Sequence, residues 1–472
     1  MIGRTQRQGS LLLVAFAAEM SKLRDEVLDE IDPLLDDPEL VALVRQALAS
    51  RSAGSETKGR YSISPDRLLR CVALRHIRAW SYRELERELR NGLLYRRFTR
   101  FDSDVIPSFT NLCRNEALLG PDLTAQIHTR VVRRALSERV CTGRKLRTDT
   151  TVVETDVHYP TDSTLLGDGV RVLTRHLKRL ADCCSGAPLD QTVDHGRAAK
   201  RRVIEIHRAS KVKTDAARTR LKAGYRKLVR LTQKLTDRAK TVIDGLKNGD
   251  VKVTGTLLHV TLNQTALQRF IPLVDKVLDQ TKRRVFGGDP HVEGKVLSLF
   301  EEHTAVIRKG KPHKPTEFGR LVQLDEVEGH ILSAYDMRPG NASDKEALLP
   351  AIDRHQATFG RAPQMTAADR GFFSAKNERE AQQRGVRRVA IAGTGTLSQS
   401  RAKQQKQRWF RRSQRWRAGI EARIATLKHR FGMLRARAKG ERNFERYVGW
   451  CVIANNLVSI AKRRQQRRSK AT

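Results

Sequence analysis

Apolar residues recur with a helical period through the first 140 positions of the chain. Ser64-Pro65 opens a segment in which Leu68, Leu69, Val72, Ala73, Ile77 and Trp80 form one stripe. Ser81 to Glu84 (SYRE) is a capping box that starts a second helix, carrying Leu85 and Leu89. Arg70, Arg75, Arg78, Arg83, Arg87 and Arg90 surround these two short helices. The pair reads equally as a helix-turn-helix or as part of a bundle with arginines on its wet face. From Lys145 the period becomes that of a strand. A long charged segment follows, in which Leu221, Leu228, Leu235 and Val242 recur every seven residues, with Tyr225, Thr232, Ala239 and Leu246 in companion positions. This is a coiled-coil-like seam, to be covered either by Leu267 to Val285 folding back or by a partner chain. After Gly294 strand patterning returns in KVLSLFEEHTAVI and in GRLVQLDEVEGHILSAYDM, where Glu328-Gly329 marks a hairpin turn. Then come a helix (Asp344 to Ala357), a strand (Gln364 to Ala368), a helix (Ser374 to Arg384), a strand (Val386 to Ala392), a polar link (Ser398 to Gln407) and a long helix around Glu421. That order predicts an α/β fold: a mixed sheet with flanking helices, preceded by an all-α region and interrupted by a helical insertion. The boundaries fall at 1–140 for the N-terminal helical domain, 141–165 with 294–460 for the core, 166–293 for the insertion and 461–472 for a basic tail.

Charge narrows the partners. Across 472 residues, 91 Lys and Arg against 52 Asp and Glu give a formal charge of +39, an excess that speaks of polyphosphate rather than of fold. It is uneven: nine acids and two bases lie between Glu19 and Glu39, whereas Arg401 to Thr472 holds 22 Lys or Arg and three Glu. Basic residues interleaved there with Trp409, Phe410, Trp416, Phe431 and Trp450 predict a folded surface that faces phosphates. KRRQQRRSK (Lys462 to Lys470) reads as a solvated tail. The six cysteines form no CxxC pair and the thirteen histidines no zinc spacing, which fits a reduced cytosolic protein without structural zinc. The apolar run Leu11 to Ala18 follows Arg4 and Arg7 like a short signal-peptide core, but reads better as the start of an amphipathic helix. Nothing approaches the ~20 apolar residues needed to span a membrane.

The candidate chemistry is carboxylate. RTDTTVVETDVHYPTDSTLL (Arg147 to Leu166) places Asp149 within a strand; Asp369 falls at a strand end in AADRGFF; Glu421 lies on the C-terminal helix in RAGIEARIATLKHRFG. A mid-strand Asp, a strand-end Asp and a helix Glu can converge on one point. Three oxygen donors without imidazole or thiolate suit Mg²⁺ or Mn²⁺, and two such ions can activate a water or 3′-hydroxyl against a phosphodiester. Glu154, Asp156 and Asp162 read as flanking residues, Asp162 as a cap, and Asp325 and Asp336 as turn residues.

These segments resemble the DDE transposases of bacterial insertion sequences, which have an RNase H-like catalytic core, and most closely their ISNCY-like group. RHIRAWSYRELERELR with IPSFTNLCR is similar to the family's N-terminal domain, ADRGFFSAKN to its second-aspartate segment and RWRAGIEARIATLKHRFGMLRARAKG to its glutamate helix. Related enzymes carry a Tyr-Arg-Glu-Lys signature on that helix; Arg417, Glu421 and Lys428 fill its last three places, and Gln414 stands in the tyrosine place. The resemblance implies that Asp149, Asp369 and Glu421 are catalytic metal ligands for two Mg²⁺ or Mn²⁺ ions. It assigns Arg417 and Lys428 to DNA contact; Arg370 and Arg423, which stand beside the acids in sequence, are expected to bind DNA with them. It implies binding of terminal inverted repeats, strand cleavage and strand transfer on double-stranded DNA by a homodimer, in a cytoplasmic, nucleoid-associated protein, with the N-terminal helices serving DNA binding or dimerisation. A catalytically silent DNA-binding derivative and an RNase H-like nuclease are the alternatives.

Overall fold

The computed structural model describes residues 24–470 apart from 53, 56, 58–61, 103, 191–192, 290–291, 309–314 and 394. The run Leu11 to Ala18 lies outside the described residues. The chain divides into two compact units, one of residues up to Asp156 together with those from Ala305 onward, the other of Val157–Thr304.

The first unit opens with helices α1 (Glu26–Leu35), α2 (Pro38–Ala49), α3 (Pro65–Ile77), α4 (Tyr82–Asn91), α5 (Leu93–Thr99), α6 (Phe109–Ala117) and α7 (Gly120–Ser137). The expected capping box is present: Glu84 N–H donates to Ser81 Oγ at 3.2 Å and Ser81 N–H to the Glu84 carboxylate at 2.6 Å. Helix α3 is buried all round except at Arg67, so it is the centre of a bundle and has no wet face. Its arginines are spent internally. Arg70 bonds Asp32 at 2.8 Å and Asp36 at 2.9 Å, Arg75 pairs with Glu116 at 2.5 Å, and Arg78 pairs with Asp25. The acid-rich segment around α1 is thus the counter-charge of the arginines that pack on it. Burying these groups unpaired would be prohibitive.

In the second unit, α8 (Asp162–Ala181), α9 (Gly196–Ser210), α10 (Asp215–Asn248) and α11 (Leu257–Thr281) pack together. The heptad seam lies on α10, and Leu228, Thr232, Leu235, Ala239 and Val242 are buried among α8, α9 and α11. The seam is covered within its own chain. Asp162 sits in the first turn of α8, which Thr161 caps, and pairs with Arg284 at 2.6 Å.

The first unit continues as a six-stranded mixed sheet among the described residues, built from β1 (Lys145–Glu154), β2 (Ala305–Ile307), β3 (Glu317–Glu326), β4 (Leu332–Arg338), β5 (Met365–Ala368) and β6 (Arg388–Ile391). The order is β2-β3-β1-β5-β6, with β4 also on β3; β1-β5 and β5-β6 are parallel and the rest antiparallel. This is the mixed sheet expected of an RNase H-like core. The β3–β4 turn lies at Glu328–His330, where Gly329 has φ 70°. A Cβ there would lie 2.2 Å from the Val140 carbonyl oxygen, so only glycine fits. One sheet face packs Leu146 and Ala368 against α12 (Leu348–Phe359). Helices α13 (Ala375–Gln383), α14 (Gln399–Lys406), α15 (Arg408–Arg430) and α16 (Glu441–Arg468) complete the unit. Helix α15 covers the other face through Phe410, which packs on Met365, Ala367 and Ala390. Asn456 of the buried α16 holds β4 as a strand would, accepting from Leu332 N–H and donating to its carbonyl, both at 2.9 Å.

Three readings differ from the structure. Only Ala305–Ile307 of KVLSLFEEHTAVI is a strand, and residues up to Thr304 belong to the helical unit. The polar link is mostly helix α14, capped by Ser398 and fixed by Arg401 on Glu378 at 2.5 Å. Lys462 to Arg468, read as the start of a basic tail, continue α16, and Arg464 bonds Glu138 there.

Candidate active site

In the parallel pair β1-β5, Thr148 is in register with Ala368, so Asp149 and Asp369 are the next residues of neighbouring strands. Residues alternate across a sheet. Leu146 and Ala368 face α12, whereas Arg147 and Ala367 face α15; Asp149 and Asp369 therefore share the α15 face. Helix α15 brings Glu421 to the same end. Arg417 Nη1 lies 2.9 Å from Glu421 Oε1 and 3.8 Å from Asp369 Oδ1, so one guanidinium joins both acids. Asp149 is half-buried and accepts from Thr150 N–H at 2.7 Å; Asp369 and Glu421 are exposed. The carboxyl ends of parallel strands are where open α/β sheets place their sites. Among the described residues no three His, Cys, Asp or Glu side chains are gathered as a metal-binding group. Backbone placement and an all-oxygen donor set nonetheless fit a hard divalent cation, with the Arg417 cation lying between two of the three donors. The other predicted contacts divide. Arg370 is exposed beside Asp369, and Lys428 is half-buried two turns beyond Glu421. Arg423 points inward: its Nε is 3.6 Å from the Glu326 carboxylate and its Nη1 donates to Asn455 at 3.0 Å.

Two family profiles match the chain: a transposase domain (DUF772) over residues 16–118 and a transposase DDE domain over residues 311–457. Together they span just over half of it. The chain belongs to the DDE-type insertion-sequence transposases. Neither match distinguishes one insertion-sequence group from another, and no curated protein and no solved structure matches the chain. Asp369 and Glu421 of the transposase lie inside the DDE match; Asp149 and all of β1 lie outside both. The family's domains use divalent metal ions. No helix among the described residues of the transposase is long and apolar enough to cross a membrane.

Arg147, Glu326 and Asp344, which hold the site of the transposase, were not singled out from sequence, and other residues do work different from that expected of them. Arg147 pairs with the fully buried Glu326 at 2.6 Å and donates to the Trp416 carbonyl, tying β1 and β3 to α15. Burial lowers the Arg423 pKa below the ordinary guanidinium value; Glu326 opposes this and Arg147 adds to it. Gln414, in the tyrosine place, donates to the Ala390 carbonyl and so anchors α15 to the end of β6. Asp325 is no turn residue: it is buried in β3, where it accepts from Thr148 at 2.6 Å and pairs with Arg354 at 2.8 Å. Asp336 lies within β4, 3.5 Å from Arg354. On the opposite face Asp344 accepts from Thr150 Oγ1 at 2.7 Å and lies under Gly371, bracing both strand ends. The only signal for Asp344 in sequence is its place at the head of a predicted helix.

Proposed function

We propose that this transposase binds the terminal inverted repeats of its element and uses Asp149, Asp369 and Glu421 to cut DNA strands and join them to a target. The observation that carries the reading is the register of β1 on β5. It puts two aspartates at adjacent strand positions on the face crossed by the glutamate helix. These three residues would hold Mg²⁺ or Mn²⁺, in a pair. When bound, such ions activate a water or 3′-hydroxyl and stabilise the leaving oxygen of the phosphodiester.

The chain's own residues do the rest. Arg417 offsets the repulsion between Asp369 and Glu421 and has guanidinium donors left for a phosphate. Lys428 shares the helix flank of Glu421, and Arg370 is exposed beside Asp369; both extend the phosphate contact away from the acids. Arg423 is left out of this DNA-facing set because it is committed to Glu326 and Asn455. Cutting and joining two ends calls for two copies of the chain.

The test is an assay with Mg²⁺ and DNA bearing the element's inverted repeats. Asp149→Asn, Asp369→Asn and Glu421→Gln are each expected to cost several kcal/mol of transition-state stabilisation, roughly a hundred- to thousand-fold in rate, with DNA still bound. Asp156→Ala, exposed beyond the end of β1, is expected to remain active. Joined products from Asp149→Asn, with none from Asp156→Ala, would move the first ligand. Repeat-independent cutting would favour a nuclease, and binding without cutting by the wild type a silent DNA-binding protein.

A further inference from the structure

The helix that carries Glu421 has a second flank with no role in the chemistry above. At 100° per residue, Arg417, Glu421 and Lys428 lie on one side of its sheet-facing line, while Arg408, Arg412, Trp416 and Gly419 lie on the other. Contacts agree: the first flank meets Asp369, the second Arg147. On the second flank a groove of about 1290 Å³ opens where β1, β5 and β6 begin. Because these strands are parallel, the residues at their starts share one edge. Arg144, Lys145, Arg387 and Arg388 come from that edge, and Arg408 and Arg412 from the first turns of α15. All six are exposed, and none makes an ion pair among the described residues. Glu328 is the one acid lining the groove, and its carboxylate already accepts from Thr142 N–H at 3.4 Å. The amino end of α15 adds its dipole, and Gln407 gives it no side-chain cap. Many arginines elsewhere in this unit are matched to acids, and what sets this place apart is that six cations without an ion pair line one concavity, which calls for a polyanion.

We infer that this groove is a second DNA-binding track, which grips the phosphate backbone without reading sequence. Its tryptophans argue against base stacking: Arg388 lies over Trp409 at 5.5 Å, and Arg147 and Lys145 over Trp416 at 4.7 and 6.0 Å. The track is apart from the acids. Four residues along β1 separate Lys145 from Asp149, about 13 Å, and nine along α15 separate Arg412 from Glu421, again about 13 Å. That the polyanion is DNA rests on the transposase reading; the groove itself does not.

The test is binding of a short mixed-sequence DNA duplex to the full chain over a salt series, without divalent metal. The triple variant Arg144→Ala/Arg387→Ala/Arg412→Ala removes three cations that make no ion pair. It is expected to bind roughly a hundredfold more weakly near 0.1 M salt, with a salt slope shallower by about three. The comparison is Arg218→Ala/Arg230→Ala/Lys234→Ala on α10, with the same net charge and an unchanged slope expected; unfolding curves show that both variants fold. Equal losses from the two triples would reveal diffuse attraction and overturn the proposal, as would a groove variant that binds like wild type. A loss confined to an RNA duplex would overturn the assignment to DNA. Failure of the wild type to cut or join strands would sink the transposase reading and leave this result standing, since no metal is present.

Discussion

At the scale of single residues, the charge that matters most for the site is buried beneath it. Glu326 has no exposed side-chain surface and faces two guanidinium groups, Arg147 at 2.6 Å and Arg423 at 3.6 Å. A carboxylate between two cations in a dry place is costly to assemble and more costly to break, because removing one partner leaves uncompensated buried charge. Glu326→Gln conserves shape and deletes the charge. It is expected to cost about 3–5 kcal/mol, as for other broken buried pairs, read as a lower denaturation midpoint in urea. Adding Arg423→Met removes one of the two stranded cations and is expected to restore part of the loss. A Glu326→Gln protein as stable as wild type would show that the two arginines find other partners. None of this was legible in QLDEVEG, where Asp325, Glu326 and Glu328 look alike. Their differences come from β3 alternating between faces: Asp325 turns to Arg354, Glu326 to Arg147 some 179 residues away, and Glu328 ends in the turn.

At the scale of elements, the long helix α15 is the device that relates one acid to the other two, and its seating depends on Gly419. A Cβ there would lie 2.5 Å from Arg147 Nη1, a group pinned by Glu326 and by the Trp416 carbonyl. Alanine would gain up to about 1 kcal/mol of helix propensity, but the contact is an overpacking whose usual cost is about 1–3 kcal/mol. The pinned neighbour cannot yield cheaply, so the cost wins. Gly419→Ala is expected to destabilise the protein by about 1–2 kcal/mol and to lower strand transfer more than DNA binding. A stabilised variant with full activity would show that Arg147 moves freely. Elements with their own signals were readable: the Ser81 capping box, the Ser64-Pro65 start, the threonine- and valine-rich β1 and the turn at Gly329. The rest depends on partners distant in sequence. Helix α14 has no apolar stripe and forms because Arg401 reaches Glu378 and the Ile391 carbonyl. The arginines around α3 left a helix-turn-helix and a bundle equally open only while the acids of α1 and α6 were out of view. The three candidate acids stood out by chain order, but their shared face required the register of β1 on β5.

At the scale of the whole molecule, the N-terminal helices are fastened to the core through buried histidines, and this makes stability depend on pH. His76 of α3 lies against Tyr447 and Trp450 of α16, and His128 of α7 meets the Leu332 carbonyl at 2.9 Å beside Asn456. Burial holds both pKa values down at about 4 from an ordinary 6.5, helped at His76 by the neighbouring Arg75. Both rings are therefore neutral in the folded protein at pH 6, while the unfolded chain has begun to protonate them. Stability rises with pH wherever the unfolded state binds more protons. It should accordingly be flat above about pH 6.5 and fall between about 6.5 and 4 by up to about 3 kcal/mol per histidine. Glu116, held below the usual carboxylate range with Arg75 against it, extends the loss below pH 4.5; Glu445, raised by burial, opposes it with a single proton. Urea unfolding at stepped pH reads the slope directly. His128→Gln keeps a donor for the Leu332 carbonyl and cannot titrate, so it should remove its own share of the slope between pH 6.5 and 4.5, leaving those of His76 and of His355, whose pKa burial also lowers, while lowering the plateau above it. Stability that rose on going from pH 7 to 5 would mean that these histidines are protonated in the fold, and that the junction is held by charge instead of by apolar burial.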